Sequence, residues 1–249
     1  MTETGPPPKR PADAASYTPM ITEDHAKRIR QWHESAYNTG KAEARSDQTV
    51  TYLGRTLAIP PEIMPITRVS HLLGEAVLAE VRESDRVLDM GTGSGVNAIL
   101  AASQAADVLA VDINPHAVEA ARRNAERNGV ADRIEVRHSD VFSDVDGRFD
   151  LIVFDPPFRW FAPRDQFEVA MTDENYRAMT EFFAAAKRHL TPTGRMLIFF
   201  GTSGDLPYLT HLADQADFRT EIIAQEHLEK DDWRVDYFTF RMTRDRRPT

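Results

Sequence analysis

An Asp-Pro-Pro-Phe stretch directly after an apolar run is the part of this sequence most suited to chemistry. Leu151–Phe154 form the apolar run, and Asp155, Pro156, Pro157 and Phe158 follow it. Proline fixes φ at about −65° and lacks an N–H donor, and the residue before a proline is held in an extended conformation. The stretch is therefore predicted to be a stiff corner that presents a carboxylate, free carbonyl oxygens and an aromatic ring. A rigid structural turn is the alternative.

A glycine-rich loop after an earlier apolar run supplies a second group of candidates. Gly91, Gly93 and Gly95 lie in LDMGTGSGVNAILAA between a predicted strand and a predicted helix, and Asp89 precedes the first glycine by two residues. Such a loop lets the backbone approach a nucleotide-like ligand. Asp112 ends the next predicted strand, about 20 residues further on, where a carboxylate can accept hydrogen bonds from both ribose hydroxyls.

Asp89 and the glycine spacing help to choose the ligand. A dinucleotide places a pyrophosphate over such a loop, where a carboxylate adds repulsion. Val96 also breaks the G-x-G-x-x-G spacing of dinucleotide-binding loops. S-adenosylmethionine carries a sulfonium and an ammonium, which suit an acidic neighbour, although an incidental acid in a Rossmann-like loop is the alternative. Asp140, in HSDVF, can accept a hydrogen bond from an exocyclic amine such as that of adenine, or it lies in a surface turn.

Alternating strands and helices must position these residues. The predicted strands are Val87–Met90, Val108–Val111, Ile134–Val136, Leu151–Phe154 and Met196–Phe200, and the predicted helices are 95–104, 115–128 and 174–190. This alternation indicates an α/β fold with a mostly parallel sheet covered by helices on both faces. FRTEIIAQEHL and WRVDYFTFRM follow as two more predicted strands, close enough in sequence to pair as a hairpin at the sheet edge.

The N-terminal third is expected to cover this domain. Residues 1–20 are predicted to be a disordered tail, residues 21–80 a small helix and hairpin cap, and residues 81–245 the main domain. In the cap, a helix from Thr22 to about Gly40 precedes two short strands around Gly54 and a helix over 70–81. One face of the first helix is predicted to contain Ile29, Trp32, His33 and Tyr37.

Composition excludes several classes of protein. The 249 residues contain no cysteine, which excludes disulfides and thiolate metal sites, and the histidines are scattered without metal-ligand spacing. No apolar run is long enough to span a membrane, and the N-terminus has no signal-peptide core, so a cytoplasmic protein is expected. The net charge of −9 argues mildly against a broad nucleic-acid surface but leaves room for a local basic patch.

Four motifs together resemble one enzyme family. VLDMGTGSG, AVDINPHAVEAARRNAERNGV, SDVF and FDLIVFDPPF look like successive motifs of class I S-adenosylmethionine-dependent methyltransferases, over about residues 50–200. The resemblance is closest to the branch with release-factor glutamine and small-domain rRNA guanine methyltransferases. It implies a Rossmann-like, doubly wound sheet of seven strands with the last strand antiparallel. It also implies that S-adenosylmethionine is bound by Asp89, Gly91, Gly93, Gly95, Asp112 and Asp140, and that the acceptor nitrogen is held by Asp155, Pro156, Pro157 and Phe158.

Two departures from the glutamine-methylating group bear on the acceptor. That group has Asn where this chain has Asp155, and IMPITRVS (63–70) replaces its usual Pro-Arg-Pro-Glu-Thr stretch. The sequence thus predicts an N-methyltransferase for a planar or amino nitrogen of a small molecule, with an amino-acid-like or guanidino compound as one option. A protein glutamine or an rRNA guanine is the alternative acceptor, and an NAD-type oxidoreductase and a non-catalytic S-adenosylmethionine-binding module are the rival classes. A cationic acceptor would be favoured if nearby acids face the site, namely Asp165, Glu168, Asp173 and Glu174.

Overall fold

The computed structural model describes residues 17–43, 47–230 and 232–245, so most of the predicted disordered tail lies outside the described residues. The N-terminal elements are α1 (Glu23–Glu43), β1 (Gln48–Tyr52), β2 (Arg55–Ile59) and α2 (His71–Glu80). The central elements are β3 (Arg86–Met90), α3 (Val96–Ala101), β4 (Asp107–Asp112), α4 (Pro115–Arg127), β5 (Ile134–His138) and β6 (Phe149–Phe154). The C-terminal elements are α5 (Gln166–Val169), a 3-10 turn (Glu174–Tyr176), α6 (Arg177–His189), β7 (Leu190–Gly201), α7 (Leu206–Gln215), β8 (Phe218–Lys230) and β9 (Trp233–Arg244).

Seven strands form one sheet in the order β5-β4-β3-β6-β7-β9-β8. Strands β3 to β7 pair in parallel, whereas β9 is antiparallel to both β7 and β8. The predicted Rossmann-like α/β fold and the terminal hairpin are therefore confirmed. The strand order reverses between β3 and β6, and in open α/β sheets a ligand binds at the carboxyl ends of the strands at such a reversal.

The central strands are mostly apolar because helices flank the sheet. Residues 87–90 of β3 and 151–154 of β6 are all buried, which is typical of parallel strands covered on both faces. Helix α2 contacts β7, β8 and β9. Helix α6 contacts β7, helix α7 contacts β8, and the two helices contact each other. Helix α4 begins at Pro115 with Asn114 as its N-cap, whose side chain accepts from the His116 N–H at 3.0 Å.

Three predicted boundaries differ from the structure. The helix predicted over 95–104 is the shorter α3, and the helix predicted from residue 174 begins with a 3-10 turn in which Asn175 and Tyr176 have φ of 58° and 51°. Strand β7 starts at Leu190, immediately after α6, whereas the predicted strand began at Met196. Helix α7 was not predicted; Asp205 caps it by accepting from the Tyr208 N–H at 3.2 Å.

The N-terminal elements pack against two different parts of the domain. The β1–β2 hairpin lies on α4, where the Asn124 side chain bonds to both the N–H and the C=O of Ala58 at 2.8 Å. The predicted face of helix α1 packs on the segment after β6, where the His33 imidazole forms a hydrogen bond with the Glu168 carboxylate. The cap boundary at residue 80 stays a prediction. No described helix is long and apolar enough to cross a membrane.

Candidate functional site

The glycine-rich loop joins β3 to α3 in a conformation that requires glycine. Gly91, Gly93 and Gly95 have φ of 66°, 55° and 83°, the left-handed region that glycine adopts without steric cost. A Cβ on Gly95 would also lie 2.9 Å from the Ala121 Cα. This glycine therefore lets α3 approach the backbone of α4, and the loop turns at the carboxyl end of β3.

Asp89 holds this loop from beneath. Its side chain is only 2% exposed, and its Oδ2 accepts from the Thr92 hydroxyl at 2.6 Å and from the Ala98 N–H at 3.0 Å. Burial, and next the charge of Asp112, raise the pKa of Asp89 to about 7, although its two hydrogen bonds act in the opposite direction. The buried carboxylate thus couples the loop to α3 and leaves an acidic group with unusual affinity for a proton or for a nearby cation.

Asp112 lies at the end of β4, beside the same loop. Its Oδ2 accepts from the Gly93 N–H at 2.9 Å, and its Oδ1 accepts from the Asn114 N–H at 2.8 Å. Each oxygen keeps a further lone pair for a ligand hydroxyl. Burial raises the pKa of this carboxyl against these hydrogen bonds. The next residue, Ile113, is 48% exposed and offers an apolar surface at the rim of the loop, which the sequence prediction missed.

Asp140 lies after β5, the strand next to β4. Its Oδ1 forms an ion pair with the Arg177 Nη2 at 2.9 Å, with both side chains partly exposed. The register pairs Asp112 with His138, two residues before Asp140, so the two acids lie at the same edge of the sheet. A role for Asp140 towards a cofactor stays a prediction, and a ligand amine there would share the carboxylate with Arg177.

The Asp-Pro-Pro-Phe corner follows β6, and the structure places its four residues in different surroundings. Asp155 is exposed, Pro156 is buried and Pro157 is half-buried. Phe158 is 7% exposed, and its ring packs on Phe199, Phe200 and Tyr237 with centroid distances of 5.6, 4.7 and 6.1 Å. The aromatic ring therefore anchors the corner in the core in this conformation, and the carboxylate is the group that the corner presents.

Asp155 and Asp89 lie at the ends of neighbouring strands. Met90 pairs with Phe154 in the register of β3 and β6, so the glycine loop and Asp155 leave the sheet side by side. Protein atoms around Asp155, and next the charge of Asp89, raise the pKa of Asp155 to about 7. Because one side of Asp155 stays exposed, water screens it there, and we expect the full rise only when a ligand displaces this water.

The acids that were expected to add negative field near the corner are already paired. Asp165 accepts from the Tyr37 hydroxyl at 2.6 Å and forms an ion pair with Lys41. Glu168 is 2% exposed and bonds to the His33 Nε2 at 2.6 Å and to Arg164 at 2.7 Å. Asp173 accepts instead from two backbone N–H groups at the start of α6, which are those of Ala178 and Met179. Asp165 and Glu168 therefore do not supply the unpaired negative charge that would favour a cationic acceptor, and Asp173 is held by backbone donors.

Comparisons with known proteins agree with this geometry. The methyltransferase small domain family matches residues 66–227. A ribosomal protein L11 methyltransferase of Thermosipho africanus is 59% identical over 68 residues, which are 27% of this chain and 25% of that protein. A ribosomal RNA small subunit methyltransferase C of Haemophilus influenzae is 38% identical over 142 residues, which are 56% of this chain and 38% of that protein. A putative protein N5-glutamine methyltransferase of Methanocaldococcus jannaschii is 40% identical over 106 residues, 42% of this chain and 52% of that protein.

Among solved structures, a ribosomal protein L11 methylase from Lactobacillus delbrueckii subsp. bulgaricus has the same fold. Its TM-score is 0.56 at 23% identity, and the match covers 75% of this chain and 83% of that one. This chain spans only a quarter to about half of the length of the three curated relatives described above. The family match nevertheless covers well over half of this chain and confirms the resemblance found in its motifs. The chain belongs to the methyltransferase small domain family, within the S-adenosylmethionine-dependent methyltransferases.

Proposed function

We propose that this chain is an S-adenosylmethionine-dependent N-methyltransferase. The observation that carries the proposal is the register of β3 and β6, which sets the Asp155 carboxylate beside the glycine loop. A group bound at the loop and a nitrogen held by Asp155 would then lie against each other. Two neighbouring carboxyl groups with raised pKa also favour a ligand that brings positive charge between them.

The loop residues fit the cofactor. Asp112 has lone pairs free for the two ribose hydroxyls, and the exposed Ile113 offers an apolar surface for a planar base. The backbone at Gly91 and Gly93 has no side chain to obstruct a close approach. When bound, S-adenosylmethionine supplies an electrophilic methyl group on a positively charged sulfur.

Asp155 would act on the acceptor nitrogen. Its carboxylate accepts hydrogen bonds from N–H groups of the acceptor and so aims the nitrogen lone pair at the methyl group. The two prolines fix the direction of the Asp155 carboxylate before the ligand binds, which lowers the entropic cost of reaching the reactive geometry. With a pKa near 7, Asp155 can also take the proton that the nitrogen loses after methyl transfer.

For the acceptor, a protein nitrogen has more support than the small molecule predicted from the sequence. Two of the relatives described above are named for protein substrates, ribosomal protein L11 and protein glutamine, and one for ribosomal RNA. None of these three is named for a small-molecule acceptor. The net charge of −9 disfavours RNA as the acceptor, because phosphate contacts need clustered basic residues. We therefore place a side-chain or terminal nitrogen of a protein first.

Labelled-methyl transfer tests this function. Purified protein with methyl-labelled S-adenosylmethionine is offered ribosomal proteins, release factors, ribosomal RNA and a set of free amino acids. Label in a protein that disappears with Asp155→Ala supports the proposal. Tight binding of NAD without binding of S-adenosylhomocysteine would contradict the cofactor assignment, and label confined to RNA or to amino acids would contradict the acceptor class.

A further inference from the structure

Arg159, the residue after the Asp-Pro-Pro-Phe corner, is a buried arginine to which the described part of the chain brings no carboxylate. The residue is only 7% exposed, and its Nε has no hydrogen-bond partner. Among the described residues, no carboxylate lies within ion-pair distance of its guanidinium. An arginine side chain stays charged in proteins, so this position carries a desolvated positive charge that nothing described balances.

Arg195 shows what this chain does elsewhere with a buried arginine. Arg195 is 6% exposed, almost the same as Arg159. Its guanidinium pairs with Asp85 at 2.9 Å and with Glu80 at 3.1 Å, and it also donates to the Asp150 carbonyl at 3.2 Å. The two arginines are buried to almost the same extent. The fold brings two carboxylates to Arg195, whereas none of the described carboxylates pairs with Arg159.

The groups that face Arg159 cannot replace a carboxylate. Its electrostatic neighbours are the phenols of Tyr237 and Tyr176 and the imidazole of His33, and its guanidinium lies 5.7 Å from the centre of the Phe158 ring. The Tyr176 hydroxyl already donates to the Phe158 carbonyl at 2.5 Å and accepts from a backbone N–H at 2.8 Å. Burial lowers the pKa of His33, which favours the neutral imidazole. The Nδ1 of His33 also lacks a hydrogen-bond partner.

The position of Arg159 assigns it to the acceptor side of the site. Gly93 and Asp112 lie over β3 and β4, whereas Arg159 follows β6 and faces Tyr237 of β9, on the other side of the strand-order reversal. Its backbone is fixed, since its carbonyl accepts from the Asp173 N–H at 2.7 Å and it forms a bridge with Thr172. A fixed backbone four residues beyond Asp155 holds the guanidinium in place before a ligand binds.

We propose that Arg159 binds an oxyanion, either a carboxylate or a phosphate, that the methyl acceptor carries. This inference rests on the proposed N-methyltransferase function, and it takes the place of the cationic acceptor that the sequence left as one option. A planar guanidinium binds such groups through two parallel hydrogen bonds. The acceptor is then oriented at two points, by its nitrogen on Asp155 and by its oxyanion on Arg159.

Stability of the ligand-free protein gives the first test, with Arg195 as the matched control. Arg195→Met removes the partner of the buried Asp85 carboxylate and of the partly buried Glu80 carboxylate, and it should lower Tm by roughly 10 °C. Arg159→Met removes an unbalanced charge and should leave Tm unchanged or raise it. A fall in Tm as large as that of Arg195→Met, or failure of Arg159→Met to fold, would overturn the proposal by showing that Arg159 is needed by the fold.

Binding of simple oxyanions gives the second test and separates the two sources. Sodium acetate and inorganic phosphate are titrated against the wild-type protein at constant ionic strength set with NaCl. One of them should raise Tm by roughly 3 °C at about ten times its Kd, and Arg159→Met should abolish this rise. A response to acetate indicates a carboxylate on the acceptor, and a response to phosphate alone indicates a phosphate. Equal responses in the wild type and the variant, or none in the wild type, would overturn the proposal.

Cofactor binding distinguishes this inference from the proposed function. Arg159→Met should bind S-adenosylhomocysteine with unchanged affinity, because Arg159 lies on the acceptor side. A loss of tenfold or more would assign Arg159 to the cofactor and overturn the inference while leaving the methyltransferase proposal intact. Once an acceptor is known, the variant should raise KM for it more than it lowers kcat.

Discussion

Replacing Gly95 by alanine should damage the loop far more than the same change at the far end of α4. Gly95 and Gly129 both have positive φ, 83° and 68°, so alanine meets a backbone cost of about 1–2 kcal/mol at each. At Gly129 the added Cβ meets nothing within 4 Å, whereas at Gly95 it lies 2.9 Å from the Ala121 Cα and 3.0 Å from its Cβ. Carbon atoms pack best at about 3.5–4.0 Å, so α4 must shift.

The difference between the two variants isolates this steric effect. Forcing a methyl group into a packed region costs about 1–3 kcal/mol. Gly95→Ala should therefore lower the free energy of unfolding by about 2–5 kcal/mol and Gly129→Ala by about 1–2 kcal/mol. Because the shift also displaces the loop next to Asp89, Gly95→Ala should weaken S-adenosylhomocysteine binding, and Gly129→Ala should not.

Urea denaturation followed by circular dichroism measures the two free energies, and calorimetry measures the two affinities. Equal destabilisation by the two substitutions would refute the reasoning, since it would mean that α4 yields without cost at Ala121. Equal affinities for S-adenosylhomocysteine, with the stability difference present, would show that the loop geometry matters for folding and not for the ligand.

Three further predictions concern the acids of the site. Asp112→Ala should weaken S-adenosylhomocysteine binding by about 1–3 kcal/mol. The control variant Asp107→Ala, at the exposed start of the same strand, should leave this affinity unchanged, and calorimetry measures both affinities. Asp155→Asn should cut turnover by about a hundredfold with unchanged cofactor affinity. It should also flatten a kcat profile that in the wild type rises with pH to a plateau with a midpoint near 7, because kcat reports the ligand-bound enzyme and only the ionised carboxylate can take the proton that the nitrogen loses. The fold raises the pKa of Asp89, so its contribution to the free energy of unfolding is present below pH 4 and is lost as the pH rises to about 7. Asp89→Asn should remove this pH dependence. Urea midpoints that change with pH in the same way in the wild type and the variant would contradict this prediction.

Much of the fold follows from local patterns in the chain. The apolar runs at 87–90 and 151–154 predict buried parallel strands because such strands are covered on both faces. Three glycines between a strand and a helix predict the loop because only glycine adopts positive φ without cost. Helix α7 was not predicted, and its Pro207 lies in the first turn, where proline is tolerated because its missing N–H has no partner within the helix.

The site is only partly local. Asp89, Asp112 and Asp155 could be named from the sequence because each ends a strand, and parallel strands bring their carboxyl ends to one edge of the sheet. The role of Phe158 could not be read in this way. Its ring packs against residues of β7 and β9, and only the pairing of those strands with β6 determines whether the ring faces a ligand or the core.

Local patterns in the chain predict most of the strands and helices, the glycine loop and the acids at the strand ends, because backbone conformation and hydrophobic periodicity depend on neighbouring residues. Which charges are balanced depends on contacts between residues that are distant in the sequence. His33 and Glu168 are 135 positions apart and meet because α1 packs on the segment after β6, which uses an acid that the sequence left free. Arg159 and Arg195 are both single arginines that apolar residues follow directly in the sequence. The fold brings two carboxylates to Arg195 and none of the described ones to Arg159, and long-range packing alone can make that distinction.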